Sequence, residues 1–377
     1  MEKKVFIAIA GLMCFAAIGG SGNDVAAQES EDVRPLVVMT KMEKTSRGEE
    51  ANDSDAVTFD RLLFWHLLYS AMDTLMQEDA EARCFIMVMY NKSGVVNAAG
   101  IDNERAYEGR DALREMSRPM SLCQMHLPLT LAALSTGKVN EKTVVDVSGG
   151  IYEEGDTLLA RDHNWHRGGY GSLTTEECVQ YHSNVGVIKL LDEAYGSDAE
   201  SLLRDMKAMR LGMPTSSYGM EMPSLWLNSK EKHHNVALTL GREGQVSPLQ
   251  MMTFFNGIAN KGRMMEPVLE VEERGSLLLM KKMMPQRLLK FAGKALEKRV
   301  TYGVNNRYAV KGKKVLAMAG TILTDAKDGK ASRAIHTTIA IADGQTYMIV
   351  TDVREDLLQH ARAYNTDLFK KVVTLGM

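Results

Sequence analysis

The 377-residue chain carries 45 Lys+Arg against 48 Asp+Glu, a formal net charge of −3. It therefore lacks the cationic excess that displaces counterions from a phosphate backbone, and no nucleic-acid partner is expected. With 45% hydrophobic and 25% charged residues, disorder and collagen-like structure are excluded, and the length suits one large domain or two small ones. The 26 methionines are spread along the chain and read as adaptable core filler, not as a metal-binding tract.

Lys3 and Lys4 precede an apolar run from Val5 to Ile18, and Val25-Ala26-Ala27 places small residues ahead of a cleavage point, so residues 1–27 are predicted to be an export signal peptide. The run falls short of the roughly 20 residues that cross a bilayer comfortably. Membrane association is expected only if this segment stays uncleaved, and the predicted location is the periplasm or cell envelope. Residues 28–57 read as a polar linker with one short apolar piece, Leu36–Met39, which places the folded domain at 58–377.

Leu62, Leu63, Trp65, Leu67, Leu68, Met72, Leu75 and Met76 recur at helical spacing and predict a long amphipathic helix. Cys84–Tyr90 reads as a buried strand that turns through Asn91-Lys92-Ser93-Gly94 and returns at Val95–Ala98, a hairpin. A helix from Pro128 through Leu134 stops at Gly137. Thr174 and Glu177 form a capping box ahead of a helix carrying Val179, Val187, Ile188 and Leu191. Ser247-Pro248 opens another helix, which Asn260-Lys261-Gly262 closes. Ile335–Ala342 and Thr346–Thr351 flank Asp343-Gly344-Gln345 as a second hairpin, and Asp367–Leu375 is a last helix. Strands early and late with helices between predict an α+β fold, an antiparallel sheet built from both chain ends around a helical subdomain.

Beyond the signal segment remain Cys84, Cys123 and Cys178, an odd set without the dense spacing of a disulfide framework. His163-x-x-His166 and His233-His234 lack the further ligands a zinc site needs, so neither metal nor cofactor is expected. Trp165, in a polar loop, is expected to cover the core, the alternative being an aromatic offered to a ligand.

The segment Leu240-Gly241-Arg242-Glu243-Gly244-Gln245-Val246-Ser247-Pro248-Leu249-Gln250, continuing through Phe254-Phe255-Asn256-Gly257-Ile258-Ala259-Asn260-Lys261-Gly262, resembles the transpeptidase domain of penicillin-binding proteins, especially class B. Met87–Ala98, Pro128–Val139, Ser172–Gly186, Val315–Thr321 and His336–Val353 follow in the family's order, so the resemblance covers roughly residues 80–377. It implies a β-lactamase/transpeptidase-like α+β fold, an antiparallel sheet flanked by helices with a helical subdomain, and a place in peptidoglycan biogenesis.

The family's chemistry uses a serine nucleophile and lysine base in Ser-x-x-Lys, a Ser-x-Asn loop, and a Lys-Thr-Gly strand that holds the substrate carboxylate. Aligned by its flanks, the first motif falls on Gln124-Met125-His126-Leu127, which puts Gln124 at the nucleophile and Leu127 at the base. The second falls on His182-Ser183-Asn184, with His182 replacing the serine and Asn184 kept. The third falls on Met318-Ala319-Gly320-Thr321, with lysine and hydroxyl replaced by Met318 and Ala319 while Gly320 and Thr321 remain. An amide forms no acyl-enzyme and leucine takes no proton, so the resemblance implies a pseudo-transpeptidase. Its groove, formed by Gln124, His182, Asn184, Gly320 and Thr321, is expected to bind a peptidoglycan stem peptide or a cell-wall synthesis protein.

Ser135-x-x-Lys138, Ser229-x-x-Lys232 and Lys92-Ser93-Gly94 also match the motif patterns but lie in the wrong context and are read as chance. The alternative is an active enzyme: a D,D-transpeptidase through Ser121, or a thiol hydrolase in which Cys123 pairs with His126 or His182. His182 itself is expected to be a packing substitution, and Asn184 and Thr321 to persist as scaffold hydrogen-bonders.

Overall fold

The computed structural model describes residues 61–212, 215–217, 220–222, 231–269, 278–324 and 332–376. The predicted signal segment, the predicted linker with Leu36–Met39, and Ser229 and Lys230 of one chance motif lie outside these residues. Residues 57–377 form one compact unit.

In chain order the elements begin with α1 (Arg61–Glu78), β1 (Arg83–Tyr90), β2 (Val96–Asp102), β3 (Ala106–Glu108), α2 (Arg110–Met116) and α3 (His126–Ser135). Then come β4 (Val144–Ser148), β5 (Ile151–Glu154), β6 (Thr157–Arg161), β7 (Gly171–Thr174), α4 (Thr175–Gln180), α5 (Asn184–Tyr195) and α6 (Ala199–Ala208). The rest are β8 (Thr215–Ser217), β9 (Met220–Met222), α7 (His234–Thr239), α8 (Pro248–Ala259), β10 (Met264–Met265), β11 (Leu278–Met280), α9 (Gln286–Thr301), β12 (Leu316–Thr324), β13 (Arg333–Ala342), β14 (Gln345–Arg354) and α10 (Leu358–Leu375).

The central sheet is antiparallel with order β12-β13-β14-β1-β2-β3, so the two predicted hairpins meet where β1 pairs with β14, Ile86 opposite Ile349. Both central strands are buried on both faces, which is why their apolar runs are continuous and not alternating. Helices α1 and α10 pack together on the sheet; α8 also packs on it, and α9 packs against β12. Helix α3 is buried at every position from His126 to Leu134 and is surrounded by α4, α5, α6 and α9, the core of the helical subdomain. Met72, Met87, Met89, Met251, Met252 and Met348 are all buried, as their role as filler requires.

The capping box at Thr174 and Glu177 is present, and so is Ser247 as cap with Pro248 in the first turn. Two boundaries differ from the sequence reading. The helix that starts after Thr174 breaks at Tyr181–Ser183, where His182 adopts a left-handed φ of 57° and Ser183 caps the next helix by accepting from Gly186 N–H. The last helix begins at Leu358, well before Asp367, because Ala361, Tyr364, Asn365 and Leu368 already carry its buried face. No helix among the described residues is long and apolar enough to cross a membrane.

Candidate functional site

A cleft of about 1350 Å³ runs between the β12 edge of the sheet and the helical subdomain. Its walls are Gly320, Thr321 and Ile322 of β12, Arg161 and Asp162 at the end of β6, Asn184 of α5, Gly241 and Arg242 after α7, and Arg362 of α10. Cys123, His126 and His182 also face it.

The entrance to α3 decides which side chains reach the cleft. A single 3-10 turn, Cys123–Met125, precedes the α-helix and brings Cys123 and His126, three residues apart, onto the cleft side. Gln124 and Leu127 do not line it; both are fully buried. Gln124 Nε2 donates to the carbonyls of Met318 (3.1 Å) and Thr337 (3.2 Å), and its Oε1 accepts from Thr337 Oγ1 (2.8 Å). The groove expected around Gln124 is therefore corrected: Gln124 ties the helix entrance to β12 and β13, and Cys123 stands in the cleft. The flanking match through Pro128 fixes the body of α3 but not the phase of the tighter turn before it.

Gly320 shows how closely the strand covers Cys123. A Cβ built on Gly320 would lie 2.8 Å from Cys123 Sγ and 3.6 Å from His182 Cε1, so any larger residue collides with the sulfur. Sγ shares a hydrogen bond with Thr337 Oγ1 at 3.3 Å, and no imidazole bonds it. Burial pushes the thiol up to about 11, only partly offset by Thr337 and Arg299.

The rings of His126 and His182 stack with centroids 3.9 Å apart and planes 9° from parallel. Burial first, and then Arg299, pulls His126 down to about 3; burial, His126 and Arg299 lower His182 as well. Both rings are neutral at neutral pH. His182 Nδ1 accepts from Arg299 Nη2 at 3.2 Å, which leaves its proton on Nε2, while His126 Nδ1 is buried without a hydrogen-bond partner. His182 is thus more than a packing substitution: it occupies a left-handed position and joins the cleft floor to a buried arginine.

That arginine was not singled out in the sequence. Arg299 of α9 is 0% exposed and donates to Asn305 Oδ1, the carbonyls of Val179 and Ala319, and His182, all of them neutral partners. Burial lowers it to about 10, so it stays charged at neutral pH. Its only legible signal was an arginine inside the apolar stripe of an otherwise amphipathic helix. Asn305 holds both backbone groups of Ala319, donating to its carbonyl (3.2 Å) and accepting its N–H (3.1 Å). Met318 is buried in the core, and Ala319 is buried at the cleft wall.

Asn184 Nδ2 donates to the carbonyl of Arg161 (2.8 Å), fixing β6 to the start of α5. Thr321 Oγ1 accepts from Arg362 Nε and Nη2 and pairs with His336 Nδ1 at 3.0 Å. Ser121 lines the cleft, but its hydroxyl donates to the Gly241 carbonyl (2.5 Å) and accepts from Gln245 Nε2 (3.1 Å). Ser135 is the last residue of α3 and bonds the Ala132 carbonyl, and Lys92-Ser93-Gly94 is the hairpin turn, so neither reaches the cleft. Trp165, expected over the core, is 41% exposed and lies on the Arg161 guanidinium at the cleft rim. Cys84 and Cys178 are buried and unbridged.

The model of the penicillin-binding protein transpeptidase domain family matches residues 125–374, and the chain belongs to that family. The fold is shared with the transpeptidase domain of penicillin-binding protein 3 from Burkholderia pseudomallei (17% identity, TM-score 0.64, 86% of this chain and 96% of that one). It is also shared with a peptidoglycan glycosyltransferase structure from Burkholderia ambifaria (18% identity, TM-score 0.62, 84% and 96%). A third is the D,D-transpeptidase domain of a peptidoglycan glycosyltransferase from Eggerthella lenta (19% identity, TM-score 0.59, 82% and 81%). A comparison with curated protein sequences finds no match.

Proposed function

We propose that this chain is an exported pseudo-transpeptidase of the cell envelope that no longer carries out serine acyl transfer and acts by holding a peptidoglycan stem peptide in its cleft. One observation carries the reading. Among the described residues no lysine lines the cleft, and its only serine, Ser121, gives its proton to a backbone carbonyl. Loss of the nucleophile alone removes about six decades of rate in a serine hydrolase, and loss of its base costs comparably without adding. The cleft is lined by both polar and apolar side chains, and the signal-like segment at 1–27 supports export.

The test has two arms. Intact-mass spectrometry after incubation with a penicillin is expected to show no adduct on folded protein. Co-sedimentation with peptidoglycan sacculi is expected to enrich the chain, and crosslinking in the envelope reports whether wall-synthesis proteins share the cleft. A serine adduct, or the absence of any enrichment or partner, sinks the reading.

A second reading has a specific observation behind it: Cys123 and His126, three residues apart in sequence, both line the cleft. In that reaction Sγ attacks an acyl carbonyl, His126 takes the thiol proton and passes it to the leaving alcohol or amine, and water later releases the acyl group. The raised thiol pKa, the bond to Thr337 and the lowering of His126 to about 3, which makes it a poor base, weigh against it. Turnover of a peptide ester that disappears in Cys123→Ala establishes this reading; unchanged hydrolysis in that variant removes it.

A further inference from the structure

The mouth of the cleft carries side chains that the stem-peptide reading does not use. Of the seven large apolar side chains exposed among the described residues, three line this one cleft: Leu158, Trp165 and Leu323, at 53%, 41% and 52% exposure. The same walls carry the exposed guanidinium groups of Arg161 and Arg242 and, in the turn before β12, of Arg307. Among the described residues the side chains of these three arginines make neither an ion pair nor a hydrogen bond. The one carboxylate in the lining, Asp162, is committed to Ser183 Oγ (2.7 Å) and the Val185 N–H (3.0 Å). Guanidiniums gathered without counter-charges among exposed apolar groups are complementary to a surface that is both acidic and apolar.

Trp165 is presented from a fixed base. Its N–H donates to the Asp162 carbonyl (3.2 Å), and the Gly168 N–H donates back to the Trp165 carbonyl (3.1 Å). Asp162 and Asn184 fasten this segment to the start of α5. Gly169, with a φ of 72°, packs backbone against backbone: a Cβ there would lie 2.3 Å from the Ser148 carbonyl oxygen. On that base the Arg161 guanidinium lies over the indole, 5.1 Å from the ring centroid. Ile151, 41% exposed, stands opposite Arg161 in the β5–β6 pairing, so the apolar surface continues from the cleft onto the hairpin. An aromatic ring and a guanidinium already held in place lose little freedom when a partner covers them.

Two features decide the class of occupant. At about 1350 Å³ the cleft exceeds the roughly 300–1,000 Å³ of small-molecule pockets, so an elongated ligand fills it better than a compact one. Its lining has arginine and tryptophan but no lysine, the composition that marks the energetic centres of protein interfaces. We infer that the cleft mouth, from Leu158, Arg161 and Trp165 past Arg242 to Arg307 and Leu323, is a docking surface for an extended segment of a protein partner in which acidic and aliphatic side chains are interspersed. Recognition is by internal side chains and needs no chain terminus. The surface goes beyond the stem-peptide reading and does not depend on it.

The experiment is fluorescence anisotropy with the full purified chain and a fluorescein-labelled decapeptide of alternating glutamate and leucine, blocked at its C-terminus as the amide. Two control peptides carry glutamine for every glutamate or serine for every leucine. The glutamate–leucine peptide is expected to bind about tenfold or more tighter than either control, and more weakly as salt is raised. Arg242→Glu, Arg307→Glu and Trp165→Ala are each expected to weaken it about tenfold or more, while Arg242→Lys keeps most of the affinity. Lys290→Glu makes the same charge change on an exposed position of α9 outside the cleft lining and is expected to alter affinity by less than about twofold. All these positions are exposed, and an unchanged urea midpoint in each variant shows that the fold is kept. No binding of the glutamate–leucine peptide, or binding that survives Arg242→Glu and Arg307→Glu, overturns the proposal. Equal affinity for the glutamate–serine peptide overturns it in favour of a general polyanion surface, and an equal loss in Lys290→Glu overturns it in favour of a long-range field. The probe has neither a D-amino acid nor a free C-terminus, so its failure leaves the stem-peptide reading standing, and failure of sacculi to enrich the chain leaves the docking surface standing.

Discussion

Gln124 uses its side-chain amide as a clamp, with both Nε2 protons and Oε1 committed to Met318 and Thr337. Gln124→Ser therefore places a hydroxyl where no substrate reaches and leaves two strand carbonyls without this donor. The expected result is a loss of about 1–3 kcal/mol of stability, the usual penalty for unpaired buried polar groups. Incubation with a penicillin should give no adduct in this variant either, although sequence alignment alone would describe it as a restored nucleophile. Urea unfolding and intact-mass spectrometry read the two effects. An adduct on the introduced hydroxyl with unchanged stability would mean that the α3 entrance turns the other way and that Gln124 faces the cleft.

At the scale of elements, β12 and the turn that starts α3 constrain each other through Gly320. Adding one methyl there meets Cys123 Sγ at 2.8 Å and Cys123 Cβ at 3.1 Å, both closer than side chains pack. Gly320→Ala is expected to destabilise by about 1–3 kcal/mol, as overpacking does. In a Cys123→Ala background the sulfur is gone, so the same substitution should cost less. A double-mutant cycle measures the coupling directly. Equal costs in both backgrounds would show that β12 moves independently of Cys123.

Much of this level was legible in the sequence, because capping boxes and hairpin turns are local signals: Thr174 with Glu177, Ser247 with Pro248, and Asp343-Gly344 each act within a few residues. The site was legible in its pieces and not in its phase. His182, Asn184, Gly320 and Thr321 all line the cleft, each placed there by an adjoining element boundary. Gln124 does not, because it sits in a 3-10 turn that advances by a different angle per residue from the helix it precedes, and Leu127, inside α3, is packed into the hydrophobic core. Arg299, distant in sequence from every motif, comes to lie behind His182 and Ala319 through the packing of α9 on β12.

For the molecule as a whole, the histidines buried around the cleft link stability to pH. His126 and His336 are 1% and 4% exposed, and each is held at about 3, by burial first and then by the nearby arginines: Arg299 for His126, Arg362 and Arg307 for His336. In the unfolded chain such imidazoles titrate near 6.5. Between these values the unfolded state binds protons that the folded state refuses, so stability rises with pH across the window. It is complete above about pH 6.5 and is lost as pH falls toward 3. Each histidine contributes a slope approaching roughly 1.4 kcal/mol per pH unit once its unfolded form is protonated. Most of the loss that precedes carboxylate titration should appear between about pH 6 and 4.5, which separates it from ordinary acid unfolding. His336→Gln keeps a hydrogen-bonding side chain beside Thr321 and Tyr308 but removes one titrating group, so its urea midpoint should fall less steeply with pH than that of wild type. A wild-type midpoint that is flat from about pH 6.5 to 4.5, or an unchanged slope in His336→Gln, would mean that these rings take up protons in the folded protein.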